Sequence, residues 1–516
     1  MKSPTFRRPL TLLGALAVLN PALLAQFGDP ALVTVQVAVV ATVTAADLDG
    51  DGDADVISAD ATDDRIAWYE NLGQGEFGPP RDIANGVSAV RDIFVADLDG
   101  DGWLDVASAS RGDNTIAWHR NLGLGVFGPR SVIDSQAMGA ISVQAADINS
   151  DGHVDVVAAS RWDNAVRWYQ NTGVGGFQAG QLVSLASPDP SEVHCADLDG
   201  DGDIDVAVAA RGANEIAWYE NLGGALWGQK QVVTGTALAP RSVHGADLDA
   251  DGDVDLISAS LNDDKVAWYE NTGGGQFGPP RILSSSVLGA FSVHAADLDG
   301  DGDLEVLCAS RDDGTLSWFE NLGGGTYSSR RNIDTTLGWA GDAFAADLDG
   351  DGDMDPISCS AVNPGDVRWY ENLMGHIGTP YCQANPNSTG SPAAIQAIGS
   401  RRAGANDLTL VATDLPANVF AFFVTSTEQG FIPTVGSSAG NLCLSGAIGR
   451  HIGPGQILGS GPTGSLQLAI DLTNHPQPSG FVAVQSGETW NFQAWYRDAN
   501  PGQTSNFTDG VSVTFY

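Results

Sequence analysis

Apolar residues in this chain come in short runs broken by Gly, Asp and Asn, and no stretch carries a helical period. Residues 87–96, VSAVRDIFVA, are apolar and β-branched enough for a strand. In the first copy of the pattern an acidic turn, ADLDGDGDADV (46–56), is followed by DVISAD, a polar turn, RIAWYENL, a Gly-rich turn and a short strand around FGPPRDI. The acidic turn that begins at Asp47 returns at Asp97, Asp147, Asp197, Asp247, Asp297 and Asp347, always 50 residues on. A tryptophan keeps the same step at Trp68, Trp118, Trp168, Trp218, Trp268 and Trp318, and at Trp369 after one inserted residue. So does an aromatic at Phe77, Phe127, Phe177, Trp227, Phe277 and Tyr327. Four strands per period of this length match one blade of a β-propeller.

The ends of the array suggest how it closes. The last copy stops near Asn372 without its fourth strand, while Phe27-Gly28 stands 20 residues before Asp47, as Phe77-Gly78 stands before Asp97. Residues 27–35 are therefore expected to supply the outer strand of the last blade, which removes free sheet edges. The expected fold is all-β: a seven-bladed β-propeller over 27–378, a turn-rich linker over 379–390, and a small β-sandwich-like domain over 391–516. The last domain is read from strand-like runs such as DLTLVATDL, NVFAFFVTST, SLQLAIDL and WNFQAWYRD.

Charge narrows the function. The chain has 516 residues, with 64 Asp and Glu against 24 Lys and Arg and a net charge of −40. Such a field repels phosphate backbones and attracts cations, so nucleic acid is not an expected partner. Residues 1–25 read as a signal peptide: Lys2, Arg7 and Arg8 precede the apolar run LTLLGALAVLNPALLA, a membrane anchor being the alternative. No later run reaches about 18 apolar residues. The mature chain is thus expected to be secreted or at the cell surface, without a membrane span, and monomeric. Cys195, Cys308 and Cys359 are expected as buried free thiols. Cys382 and Cys443 can pair in an exported protein.

The acidic turn has a chemistry of its own. Asp47, Asp49 and Asp51 stand at positions one, three and five, Gly52 at six and Asp55 at nine. Alternating carboxylates in a tight loop can converge on a hard cation such as Ca²⁺, which takes six to eight oxygens. Position twelve is Ser58, where an EF-hand needs glutamate, so this is a hairpin loop of another kind. Thirty-two of the 64 acidic residues lie in the seven loops.

These loops, with the SAS turns and the WYENxGxGxFGxP segments, resemble FG-GAP/VCBS-type repeats, the class found in integrin α-subunit propellers. The resemblance covers about residues 27–378. It implies up to seven Ca²⁺ ions held between the first and second strands of each blade. The matching ligands are Asp47, Asp49, Asp51, Asp55; Asp97, Asp99, Asp101, Asp105; Asp197, Asp199, Asp201, Asp205; Asp247, Asp249, Asp251, Asp255; and Asp347, Asp349, Asp351, Asp355. Two loops depart from the pattern. The third has Asp147, Asn149, Asp151 and Asp155, one charge fewer and so an expected weaker site. The sixth has Asp297, Asp299, Asp301 and Glu305.

In integrin α-subunits the ligand face lies opposite the calcium loops. On that face the turns here carry Arg111, Arg161, Arg211 and Arg311, with Trp162 among them. Arginine suits carboxylates, although pairing with aspartates of the same turns is the plainer expectation. The RGD at 111–113 is one phase of this repeated turn. His194, His244 and His294, each three residues before an acidic loop, are candidate metal ligands or bases if they do not simply pack between blades. No catalytic residue is assigned. The expected role is extracellular binding or adhesion toward a protein or glycan, with calcium as structural cofactor; a lectin, or a polysaccharide lyase or hydrolase on the same scaffold, is the alternative.

Overall fold

Each fifty-residue repeat folds as one antiparallel sheet of four strands in sequence order. In the first these are Val40–Ala46, Asp55–Asp60, Arg65–Tyr69 and Arg81–Asn85. The computed structural model describes residues 27–515 except 38, 363, 374–375, 402, 407, 435–437 and 499–503. The expected signal segment, 1–25, lies outside the described residues. Five further sheets follow the same plan, beginning at Val90, Ala140, Pro190, Pro240 and Ala290. A seventh is formed by Ala340–Ala346, Asp355–Ser360, Gly365–Trp369 and, at its outer edge, Ala31–Val37 from the other end of the array. There Ala31 faces Trp369 and Val37 faces Gly365. Phe27 bridges Asn372 just outside that strand.

The second strand of every sheet is buried along its whole length, as in DVISAD, DVASAS and DVVAAS. Small and β-branched side chains allow this, because each sheet is covered on both faces by its neighbours. The first strand lines a central channel and carries a register shift near its start, between Val40 and Thr42 in the first sheet and at the equivalent place in the others. Such a bulge bends and twists the strand as it turns toward the axis. Inner strands contact those of the adjacent sheets, and Val40–Ala46 contacts Ala340–Ala346, so the ring is continuous. The fold is an all-β propeller.

Three repeated contacts join neighbouring blades. The amide of each WYEN asparagine donates to a carbonyl in the acidic loop of the blade before it: Asn121 to Leu48 at 2.7 Å, Asn171 to Leu98 at 2.6 Å and Asn271 to Leu198 at 2.7 Å. Asn71 makes the same bond to Leu348 at 2.7 Å, which joins the first blade to the last. Trp68, Trp118, Trp218, Trp268 and Trp369 each lie beneath the Gly-rich turn of the next blade. A Cβ at Gly125 would sit 2.3 Å from the Trp68 ring, and Gly125 has a φ of +65°. The fourth such turn carries Ala225, which packs in one cluster with Trp168, so this gap can widen by a methyl group. The third contact is edge-to-face packing of aromatics, as between Trp218 and Phe277 at 6.4 Å, and between Phe27 and Trp318 at 5.7 Å.

The C-terminal domain is a sandwich of a four-stranded and a six-stranded sheet. One core holds both, including Ile395, Leu410, Phe423, Trp490, Phe492 and Val511. The domain begins before the expected boundary. His376–Ile377 pairs with Ala397 and Ile398, and Thr379–Tyr381 pairs with Gly510–Ser512. The stretch 379–390, read from its composition as a linker, therefore opens with an edge strand. It is also tied down by the Cys382–Cys443 disulfide and by Asn387, whose amide donates to the Asp414 carbonyl at 2.7 Å. Its Pro, Asn and Gly residues mark turns inside a domain. Cys195, Cys308 and Cys359 are free thiols.

The blade joint is open to test. Asn271 is buried and donates to both Leu198 and Val254. Asn271→Asp keeps the shape, removes both donors and faces two carbonyl oxygens with a carboxylate. Urea unfolding should show a loss of about 2 kcal/mol or more; an unchanged midpoint would mean that the amide does not hold the blades together.

Candidate functional site

The acidic loops stand on one face of the propeller, at the turn from first to second strand. Their backbone is shaped by their own carboxylates. Asp47 accepts from Gly50 N at 2.7 Å and from Gly52 N at 3.0 Å, and Asp51 accepts from Asp53 N at 3.0 Å. Gly50 and Gly52 have φ of +79° and +100°, which glycine adopts without strain. Asp55, at position nine, is fully buried. Its two oxygens accept from Leu48 N at 3.0 Å and Asn71 N at 2.8 Å, so it fixes the base of the loop. Glu305 makes the equivalent bonds in the sixth loop, to Leu298 N at 2.7 Å and Asn321 N at 3.3 Å.

These folds bring carboxylates together. Ligand oxygens of Asp47, Asp49 and Asp55 lie within 4.8 Å of one another. The same holds for Asp97, Asp99 and Asp101; Asp197, Asp199 and Asp205; Asp247, Asp249 and Asp251; and Asp297, Asp299 and Glu305. One oxygen of Asp49, Asp99 and Asp249 is buried without a hydrogen-bond partner. Burial, then repulsion by Asp51, raises the Asp49 carboxyl above the usual range. Asp55 is pushed up to about 7, again by burial first. Carboxylates turned inward, crowded and partly unpartnered fit a hard, oxygen-seeking divalent cation such as Ca²⁺. In the third loop the Asn149 side-chain oxygen accepts from Asp151 N at 3.0 Å.

Two loops differ in ways their own residues do not announce. In the second, Arg120 pairs with Asp99 at 2.6 Å and Asp101 at 3.0 Å, where the other repeats have Glu or Gln. A cation from the chain itself thus meets part of that loop's charge. The seventh is covered by the C-terminal domain, whose Arg401 donates to the Gly350 carbonyl at 3.3 Å. Asp349 is buried there, and burial and mutual repulsion raise the carboxyls of Asp351 and Asp353.

The opposite face holds the arginines. Arg111, Arg161, Arg211 and Arg311 converge on the channel mouth, joined by Arg91 and Arg241 from the inner strands. With Ile141, Leu261 and Phe291 they line a cavity of about 170 Å³. Arg161 and Arg211 both pair with Asp189, and Arg311 pairs with Asp312 at 2.7 Å. Arg241 lies over the Phe291 ring at 4.5 Å, and Arg311 over Trp339 at 5.4 Å. Trp162 is exposed above Gly139 and is not among the cavity-lining residues. Arg91, Arg241, Phe291, Trp339 and Asp189 escape a reading of the sequence. Their signal is a break in the repeat: position 91 reads Ala, Arg, Ile, Ser, Arg, Phe and Gly from copy to copy. The RGD is locked, with Asp113 paired to Arg130 at 2.7 Å.

Below the mouth, residues one step further along the inner strands clasp adjacent blades. Asp92 accepts from Val143 N at 2.9 Å, Glu192 from Val243 N at 2.8 Å, and Asp342 from Val43 N at 3.1 Å. Burial pushes Asp92 up to about 7 and Glu192 up to about 8. Deeper still, His194, His244, His294 and Phe344 stack in succession with ring centroids 4.7, 4.9 and 4.7 Å apart. Burial holds His194 and His294 down to about 4, so both are neutral at pH 7.

A family model of FG-GAP-like repeats matches six overlapping windows, 47–108, 97–158, 147–208, 197–258, 247–308 and 297–358. No curated protein matches the chain. Among solved structures, a lectin of Agrocybe aegerita that recognises non-reducing terminal N-acetylglucosamine is similar, at 20% identity and TM-score 0.47, over 65% of this chain and 86% of that one. BBS1N in complex with ARL6DN is similar at 13% identity and TM-score 0.46, over 67% of this chain and 96% of that one. The Tc holotoxin pore of Photorhabdus luminescens matches at 16% identity and TM-score 0.35, over 74% of this chain and 20% of that one.

The buried acid Glu192 gives a pH prediction. Its folded value, about 8, stands above the ordinary 4.5 of glutamate. The fold thus favours its protonated form, and its stabilising contribution is complete below about pH 4.5 and is lost as pH rises through 8. Glu192→Gln keeps the clasp without the titration. The melting temperature of the native chain relative to Glu192→Gln should fall between pH 5 and 9; parallel curves would mean that Glu192 does not titrate in this range.

Proposed function

The chain belongs to the FG-GAP-like repeat family, and on that premise we propose that it is an exported, calcium-stabilised binding module that engages an extracellular protein or glycan. The observation that carries the calcium reading is the recurrence of one inward-turned carboxylate cluster, with oxygens of Asp49, Asp99 and Asp249 lacking partners. Asp47, Asp49 and Asp51 and their counterparts would hold the ion, with Asp55 and its counterparts at the loop base. Bound Ca²⁺ supplies charge neutralisation there. The residues do the rest: the same loops present Leu48 and its equivalents to the asparagines of the next blade, so ordering a loop stiffens a joint between blades. Seven such ions would take the formal charge from −40 to −26.

Export is supported by the basic and apolar start of the chain and by the Cys382–Cys443 disulfide. No helix among the described residues is long and apolar enough to cross a membrane. The binding surface is proposed on the face opposite the loops, where the arginines gather.

Calorimetry with and without a calcium chelator tests the cofactor. A site filled at a hundredfold excess over its Kd contributes about 2.7 kcal/mol, so chelation should lower the melting temperature by many degrees. A transition that does not move removes the calcium reading. In a competition titration the second and third loops should fill last, the second because Arg120 already pairs with Asp99 and Asp101, the third because Asn149 lacks a charge. Arg120→Glu, which restores the residue of the other repeats, should tighten one site; unchanged stoichiometry and affinity would refute the competition.

A further inference from the structure

The channel mouth is chemically unlike the rest of the molecule. The chain has 24 basic residues against 64 acidic ones, yet every charged side chain lining this cavity is an arginine. Two carboxylates reach that set: Asp189, shared by Arg161 and Arg211, and Asp312, on Arg311. Arg91 and Arg111 line the same cavity, and Arg111 is foremost among the charges that act on Arg91. Among the described residues no carboxylate lies within ion-pair distance of either. Like charges held together where water screens them poorly repel. Burial and the neighbouring arginines lower Arg91 to about 10, which leaves it charged at neutral pH. The acids beneath, Asp92, Glu192 and Asp342, line a further cavity with Arg91 and Arg241, and Glu192 and Asp92 favour the charged form of Arg241; Arg111 is not part of that lining.

The shape of the site limits what can bring the missing charge. The cavity of about 170 Å³ adjoins another of about 140 Å³ that shares Arg91, Arg241, Phe291 and Arg311 and adds Trp339. Together they form a pit whose wall interleaves guanidinium groups with Phe291 and Trp339, each of which carries an arginine over one face of its ring. An extended acidic peptide would need a groove or an accessible strand edge. A pit suits the end of a chain, and its walls ask for an anionic group and a flat, partly apolar ring at once.

We propose that the channel mouth binds the terminal acidic sugar of an anionic glycan, its carboxylate or sulfate paired with Arg91 and Arg111 and its ring beside Phe291 and Trp339, on the sides of those rings that Arg241 and Arg311 leave open. This rests on the binding-module reading and names the ligand class for it.

The test uses the full, calcium-loaded chain on an array of oligosaccharides ending in glucuronate, in a sulfated sugar or in a neutral sugar, with tetraglutamate peptides alongside. Retention on acid-ended sugars should exceed that on matched neutral sugars at least tenfold. Retention on the uronate or the sulfate series alone supports the site and identifies the anion. Arg111→Glu should lower it at least tenfold, as should Arg91→Ala with Arg111→Ala; melting curves establish which variants fold, and Arg111, the less buried of the two, serves if the double variant does not. Equal retention on neutral sugars, equal or greater retention on tetraglutamate, or full retention by Arg111→Glu overturns the assignment and leaves a binding module with another ligand. No retention on any glycan or peptide overturns the assignment as well. The binding-module reading falls with it only if the same calcium-loaded chain also holds nothing on an array of extracellular proteins.

Discussion

One amide holds each blade to the blade before it. The asparagine of the WYEN segment reaches back into the preceding acidic loop, and it does so at every joint, the one between last and first blades included. Its own backbone N–H is received by the buried acid at position nine. That acid in turn receives the loop leucine's N–H. Loop, asparagine and acid therefore form one polar unit inside an otherwise apolar seam, and each part is satisfied only if the others are in place. The packing of tryptophan under the next Gly-rich turn depends on the spacing this unit sets.

The same geometry sorts charge by face. Turns from first to second strand carry half of all the acidic residues. The turns after the second strand bring arginines to the axis. A molecule with a large negative total thus presents a small positive well at one end of its channel. An approaching anion is repelled at most orientations and drawn in along one. The disparity is a consequence of strand direction, because residues at opposite ends of a short strand cannot share a face.

Much of this was legible in the sequence, because a repeat multiplies every signal. The fifty-residue step, the strands within it and the acidic loops could each be read several times over, and chance agreement was excluded by repetition. What could not be read lies in single departures whose meaning depends on register. Arg120 is one residue in a WYEN-like segment until the hairpin sets it against Asp99 and Asp101. Arg91 and Arg241 are polar residues in strands until the bulge turns them to the axis. Asp189 and Trp339 share a repeat position, yet one clamps two arginines and the other carries one on its ring. The strand at Thr379–Tyr381 was hidden by its proline, tolerated because the strand lies at the edge of its sheet. Burial of the seventh loop depends on a domain with which it shares no sequence pattern.

The strand Ala31–Val37 pairs with residues 365–369, more than 300 positions away. During synthesis it emerges first among the described elements and has no partner until the last blade exists. The blades between can fold one after another from local contacts, but the ring stays an open arc with two raw edges until the end. Closure is then a single late event with a large loop to fix, which places the slowest step of folding, and the greatest exposure to mispairing with another chain, at the very end of the array.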